Sequence, residues 1–360
     1  MPIFMDRHDV SEHVSAEVLA EIHQEDLKIE HEYGCRGFTY WFDNKRKNVF
    51  CLIEAPNKEA IVKMHRQAHG DVPNTIIEVE ASLVESFLGR ISDPENTNNS
   101  SLNIINDSAY RILMYISFYR NPSSNGYGFQ ETLKTLDHHI TKLINTKHGN
   151  IVKKDKHGYL ISFKSVINAI NTVVEIESKI RNNLPMSNTY LKIAVASGEP
   201  VTSKPQIFED VITLINRMCE SINSDITISY EVKQLYESET LEPLPLNKTI
   251  RALTPVEEKF LMLFMDNIEN SWHNPEVSIE ALSESLGYSK SQLYRKVTAL
   301  TGKSPNSFLR DYRLERAVRL MDNQEGNISE IAFETGFNSL AYFSKCFKNK
   351  YNMLPSKYTQ

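Results

Sequence analysis

Two glycines near the C-terminal end, Gly287 and Gly336, each stand between apolar residues at helical spacing. This repeat limits the end of the chain to compact pairs of short helices. In the first pair Ser278 caps a helix that buries Ile279, Leu282 and Leu286, and Gly287 supplies the left-handed residue that ends it. Ser289 caps the next helix, with Leu293, Val297 and Leu300 inward and Lys290, Ser291, Tyr294, Arg295 and Thr298 outward. In the second pair Asn327 or Ser329 stands near a cap, Ile328, Ile331 and Ala332 point inward, and Gly336 makes the turn. The helix after it buries Phe343 and Phe347 and presents Asn338, Leu340, Ala341, Ser344, Lys345 and Lys348. Between the pairs, "PNSFLRDYRLERAVRLM" opens on Pro305, a residue suited to a first helical turn. At ~1.5 Å per residue it makes a rod of roughly 25 Å. Ahead of both, Val256, Phe260, Phe264 and Ile268 fall four apart and predict one further helix face.

Charge sets this end apart. From position 286 onward there are 12 Lys and Arg against 6 Asp and Glu, and the rest of the chain has 28 against 40, so the net −6 divides into +6 and −12. A basic end on an acidic body points to a polyanionic partner for that end alone. The 360 residues predict two or three domains. No run of about 18 uncharged apolar residues exists to span a membrane. The first ten residues, charged at once, do not resemble a secretory leader, and the four cysteines (Cys35, Cys51, Cys219, Cys346) are scattered without a C-x-x-C pair. A cytoplasmic protein with free thiols is expected.

The C-terminal stretch resembles the DNA-binding domain of the AraC family of transcription regulators over about 100 residues, through "IAFETGF", "YFSKCFKNKY" and the closing "LPSKY". The resemblance implies an all-α domain with two helix-turn-helix units over residues 255–360, its second helices about one DNA turn apart. It puts Ser291, Tyr294, Arg295, Leu340, Ala341 and Lys345 where the family reads bases, with Asn338 at the start of the second face. Arg295 has the reach to make two hydrogen bonds to a guanine edge. Lys290, Lys296 and Lys348 then meet phosphates. One departure is Asn352, where the family usually has Gly; Asn tolerates the left-handed conformation.

Two Asn-, Ser- or Pro-rich stretches, 91–108 and 236–255, read as linkers and divide the chain into 1–90, 109–236 and 255–360. The middle segment alternates strand-like and helical runs, "YRILMYISFY", "FQETLKTLDHHITKLINTKHG", "NIVKKDKHGYLISF", "SVINAINTVVEIESKI" and "LKIAVASGEPV", which predicts a compact α+β domain. It is weakly similar to class III adenylate and guanylate cyclase catalytic domains. That resemblance places Ser117 and His157 where the family has two metal-binding aspartates, Thr213 at its transition-state Asn, and Arg217 at its Arg. A hydroxyl and an imidazole make a poor seat for magnesium, so a cyclase-like fold without enzyme activity is expected.

The first 90 residues read strand, helix, hairpin, helix, strand, with caps at Ser15 and Asn57, stops at Gly34 and Gly70, and a turn at Asp43-Asn44-Lys45. This βαββαβ order is ferredoxin-like, an α+β arrangement. The segment resembles a family of small bacterial ferredoxin-like proteins described as nickel-binding, through "MDRHDV", "YGCRGFTYWFD", "FCLIEAPNKEAIVKMHRQAHG" and "FLGRI". Independently, His65 and His69 stand four apart on one helix face, a spacing that lets two imidazoles share Ni, Cu or Zn. His8 and His23 are the candidates to complete the set.

The expectation is a multidomain bacterial regulator that binds double-stranded promoter DNA and contacts RNA polymerase. Its upstream domains sense a ligand or metal, or pair into a homodimer. A nucleotide cyclase, or a metal-handling protein, with an attached DNA-binding module is the alternative.

Overall fold

The computed structural model describes residues 1–95, 102–120, 129–155, 158–180 and 189–358. The N-terminal domain has strands β1 (Ile3–Asp9), β2 (Arg36–Asp43), β3 (Asn48–Glu54) and β4 (Thr75–Val79), with helices α1 (Ala16–Ile29) and α2 (Lys58–Ala68). The strands form an antiparallel sheet in the order β2-β3-β1-β4, the ferredoxin-like order the sequence predicts. Ser15 and Asn57 cap the two helices through the amides of Val18 and Ala60. Residues alternate across a strand, so the two faces of β1 have different neighbours. Met5, with Trp41, Phe50 and Leu52, joins the large core shared with the middle domain. Phe4 packs with Ile61 and Met64 of α2, on the face that also carries Asp6 and His8.

Helix α3 (Ala81–Leu88) follows and is pinned by a buried arginine. Arg111 donates to the carbonyls of Phe87 and Leu88, 3.2 and 3.0 Å, and to those of Ser108 and Tyr110. Burial lowers its pKa to about 10. The middle domain contains β5 (Arg111–Arg120), α4 (Phe129–Thr146), β6 (Asn150–Asp155), β7 (Gly158–Phe163), α5 (Val166–Glu175), β8 (Thr189–Gly198), α6 (Glu209–Ser221), β9 (Ile226–Ile228), α7 (Tyr230–Thr240) and β10 (Ile250–Ala252). Its sheet runs β10-β9-β8-β5-β7-β6, with β8-β9 and β9-β10 parallel. The stretch 236–255, expected as a linker, instead completes α7 and supplies the edge strand β10. The few apolar residues of β10, Ile250 among them, find their partners only across the sheet, which no local pattern announces.

Seven residues separate the long helix α8 (Pro255–Ser271) from α9 (Ile279–Ser285), after which come α10 (Lys290–Thr301), α11 (Pro305–Asp322), α12 (Ile328–Glu334), α13 (Leu340–Tyr351) and the short α14 (Pro355–Tyr358). Thr254 and Glu257 form a capping box at the start of α8. Phe260, Phe264 and Ile268 are buried as the spacing predicts, but Val256, in the first turn, is 66% exposed and lies outside the face. All the caps expected downstream form: Ser278, Ser289 and Asn327 each accept a backbone N–H at N2 or N3. Gly287 and Gly336 take φ of +69° and +78°. At Gly336 a side chain is excluded twice, because a Cβ would also stand 2.7 Å from the Trp272 carbonyl oxygen. Asn352 ends α13 at φ +56°. No helix among the described residues is long and apolar enough to cross a membrane.

Candidate functional site

Two sites emerge, one buried and one exposed. The buried one lies between β1, β3, α1 and α2. β1 delivers Asp6 and His8 to the helix-facing side; Asp6 sits in register opposite Cys51 of β3. α2 delivers His65, and His69 follows at its C-cap. His65 Nε2 is 3.0 Å from Asp6 Oδ2, and His65 Nδ1 is 3.1 Å from both Asp26 Oδ1 and His69 Nε2. The His8 and His65 rings lie 4.9 Å apart, centre to centre, and those of His65 and His69 5.2 Å.

The electrostatics follow from the enclosure. Burial opposes the charge on His65, yet hydrogen bonds to Asp26 and Asp6 and their negative charges outweigh it and push its pKa up to about 10. Burial likewise works against the Asp6 and Asp26 carboxylates, but the imidazoles beside them hold both below the usual range. Burial and the Asp6 and Asp26 charges push the Cys51 thiol well up.

Two donor groups have ligand atoms within 4.8 Å of one another: Asp6, His8 and Cys51, and Asp26, His65 and His69. Imidazole, carboxylate and thiol donors together suit Ni, Cu or Zn. His8 Nε2 is buried and makes no hydrogen bond among the described residues, with Asp6 Oδ1 3.5 Å away. These residues fit a divalent transition metal. Three of the four histidines expected from the sequence therefore converge. His23 lines the same cavity, but its Nε2 faces Asp93 Oδ2 at 3.5 Å. The sequence reading missed Asp6, Asp26 and Cys51. Asp6 carried a local signal, its two-residue offset from His8 on a predicted strand, whereas Cys51 needs the β1–β3 register.

The exposed site is the outer face of α10 and α13. Ser291, Tyr294, Arg295, Asn338, Leu340, Ala341, Lys345 and Lys348 are all exposed. Tyr294 and Leu340 are large apolar groups left in solvent on this face, as suits contact with base edges and thymine methyls. Lys290 pairs with Glu280 at 2.6 Å. Lys296 is half-buried, its Nζ over the rings of Phe260 and Tyr288 at 5.4 and 5.2 Å, so its stem and charge also serve the packing of α8 against α10. α11, 18 residues long, holds the two units apart.

Residues 282–360 match the profile of a family described as "Helix-turn-helix domain". The chain is 35% identical over 88 residues to the HTH-type transcriptional activator RhaS of Mannheimia succiniciproducens, covering 24% of this chain and 32% of that protein. The C-terminal segment is an AraC-type helix-turn-helix domain. The chain is also 37% identical over 106 residues to Histidine kinase P4 of Formosa agariphila, covering 29% of this chain and 8% of that protein. The chain thus spans less than a third of the length of both relatives. Residues 4–79 match the family "Nickel responsive protein SCO4226-like", and the N-terminal domain is SCO4226-like. Among solved structures, SCO4226 from Streptomyces coelicolor is 31% identical, with 21% of this chain and 94% of that one covered and a TM-score of 0.21. The C-terminal domain of the response regulator yesN from Fusobacterium nucleatum is 28% identical, with 28% and 99% covered and a TM-score of 0.28.

Proposed function

We propose that this chain is a DNA-binding transcription regulator whose N-terminal domain binds nickel or another divalent transition metal. The observation that carries the DNA reading is the pair of capped, glycine-turned helix units whose second helices leave Ser291, Tyr294, Arg295, Leu340, Ala341 and Lys345 in solvent on either side of the α11 connector. Lys290, Lys296 and Lys348 flank those helices as phosphate contacts. RNA polymerase and a second copy of the chain are proposed partners. Selection of bound sequences from genomic DNA, with and without added nickel, tests the reading. An enriched motif is expected, and equal recovery of all fragments opposes it.

His8, His65 and His69, with Asp6, Asp26 and Cys51, are the proposed metal ligands, and His23 an additional one. Replacing His65 and His69 together removes nickel binding in calorimetry if they hold the ion; unchanged nickel content opposes the assignment.

The middle domain is read as cyclase-like in fold and without cyclase activity. Ser117 is buried in β5, and His157 lies outside the described residues. Arg217, the position of the family's transition-state arginine, gives its guanidinium to Asp266 and Glu269 of α8, both at 2.7 Å. An arginine so committed is withdrawn from nucleotide phosphates. Conversion of ATP or GTP by the purified chain would favour the enzyme alternative.

A further inference from the structure

The apolar wall of the metal-type cavity is also the seat of the segment leading to the middle domain. Leu19, Tyr40 and Val49 line the cavity, and the same three residues, with Phe42, bury Ile105. The Tyr40 hydroxyl accepts a hydrogen bond from the Ile105 amide at 3.2 Å. The His23 ring lies 5.0 Å from the Tyr40 ring, and the Asp93 carboxylate that faces His23 keeps its Oδ1 buried without a hydrogen bond among the described residues. Arg90 fastens the start of the segment to β2: it lies 4.5 Å over the Trp41 ring and donates to the Tyr40 carbonyl oxygen at 2.6 Å. At the other end the Asp107 carbonyl accepts from the Phe42 amide at 2.9 Å, and the Asp107 carboxylate pairs with Lys164 of the middle domain at 2.9 Å.

We infer that residues 90–93 and 102–110 form a strap that reports occupancy of the cavity to the middle domain, with His23 as the switch. The inference rests on the proposed binding of a divalent metal there. His23 Nε2 faces Asp93 or turns to an ion among the donors, and it does not do both. The two states therefore differ in a specific contact, which is what a ligand needs in order to shift an equilibrium. A metal that recruits His23 releases Asp93, displaces the adjoining Tyr40 ring and weakens the hold on the Ile105 amide. By reciprocity, weakening the His23–Asp93 contact raises metal affinity.

The test uses the intact chain, nickel sulfate, calorimetry for binding, and hydrogen–deuterium exchange of peptides covering 102–110. Nickel is expected to speed exchange there by about tenfold, within the usual range of coupling between sites. Asp93→Asn is expected to exchange faster without nickel and to bind nickel more tightly. Tyr40→Phe, which removes only the hydroxyl, is expected by the same reciprocity to bind nickel more tightly, to exchange fast in both states, and so to lose the nickel response. Nickel binding with unchanged exchange at 102–110 overturns the strap and leaves the metal site standing. Absence of nickel binding in calorimetry overturns the metal site and the strap with it.

Discussion

The two helix-turn-helix units follow one plan and differ in what lies behind them. The first buries Leu282, Leu293, Val297 and Leu300 in a core that continues through Phe260, Phe264 and Ile268 of α8 into Ile215, Met218 and Ile222 of the middle domain. The second has a core of its own, built from Leu314, Ala317, Ile331, Phe337, Phe343 and Phe347. Polar contacts repeat the asymmetry. Arg217, its side chain only 7% exposed, holds α8 through Asp266 and Glu269, and the Asn223 amide donates to the Leu300 carbonyl of α10. Past the first unit, the connector meets the middle domain at Glu220, which pairs with Arg319 at 2.5 Å and Arg316 at 3.4 Å. The first unit is thus continuous with the upstream domains, and the second hangs from the connector. Close-packed side chains therefore join the first unit to the middle domain.

This contrast is open to direct attack. The largest effect is expected from the two cores. Phe264→Ala and Phe343→Ala should each cost about 3–5 kcal/mol. Phe264→Ala should destabilise the middle domain and the first unit together, whereas Phe343→Ala should open the second unit alone, as exchange of peptides from each region would reveal. Equal spread of both effects would erase the asymmetry. Next, Arg217→Ala should cost about 2 kcal/mol, less than for a fully buried pair because Asp266 and Glu269 reach solvent. It should also loosen α8 in the same exchange measurement, while nickel affinity stays unchanged. Arg295→Ala should weaken specific DNA binding by ~1–3 kcal/mol and relax the sequence preference on the side of the first unit; an unaltered footprint removes Arg295 from the site. The smallest effect is expected from Glu220→Ala, at most ~1 kcal/mol because its 2.5 Å partner, Arg319, is 53% exposed, with faster exchange confined to α11.

The helical end was readable because its signals are local. Caps that accept an amide proton from two or three residues on, glycines at positive φ, and apolar residues at i and i+4 each name their own element, and the structure keeps them, with Ile279, Leu286 and Ile328 only partly buried and Val256 exposed. The ferredoxin-like order was readable for the same reason. What lay beyond reach were the pairings. Asp6 next to Cys51, Asp26 next to His65, and β10 beside β9 join residues far apart in sequence. Likewise the apolar face of α8 announces burial without naming α6 as its partner. Lys296 showed a charge to the sequence but not the two rings beneath it. The segment 91–108 reads as a linker by composition, yet Ile105 in it is buried against β2.

Because the first unit shares its core with the middle domain, the decisive measurement uses the intact chain and not an excised C-terminal piece. Duplexes selected by the purified chain from a random pool at moderate salt should converge on one motif, with two blocks of preferred bases about one helical turn, roughly 10 base pairs, apart. A pool that stays random after repeated rounds, or binding that competitor DNA abolishes without preference, would contradict the assignment of α10 and α13 as groove-reading helices.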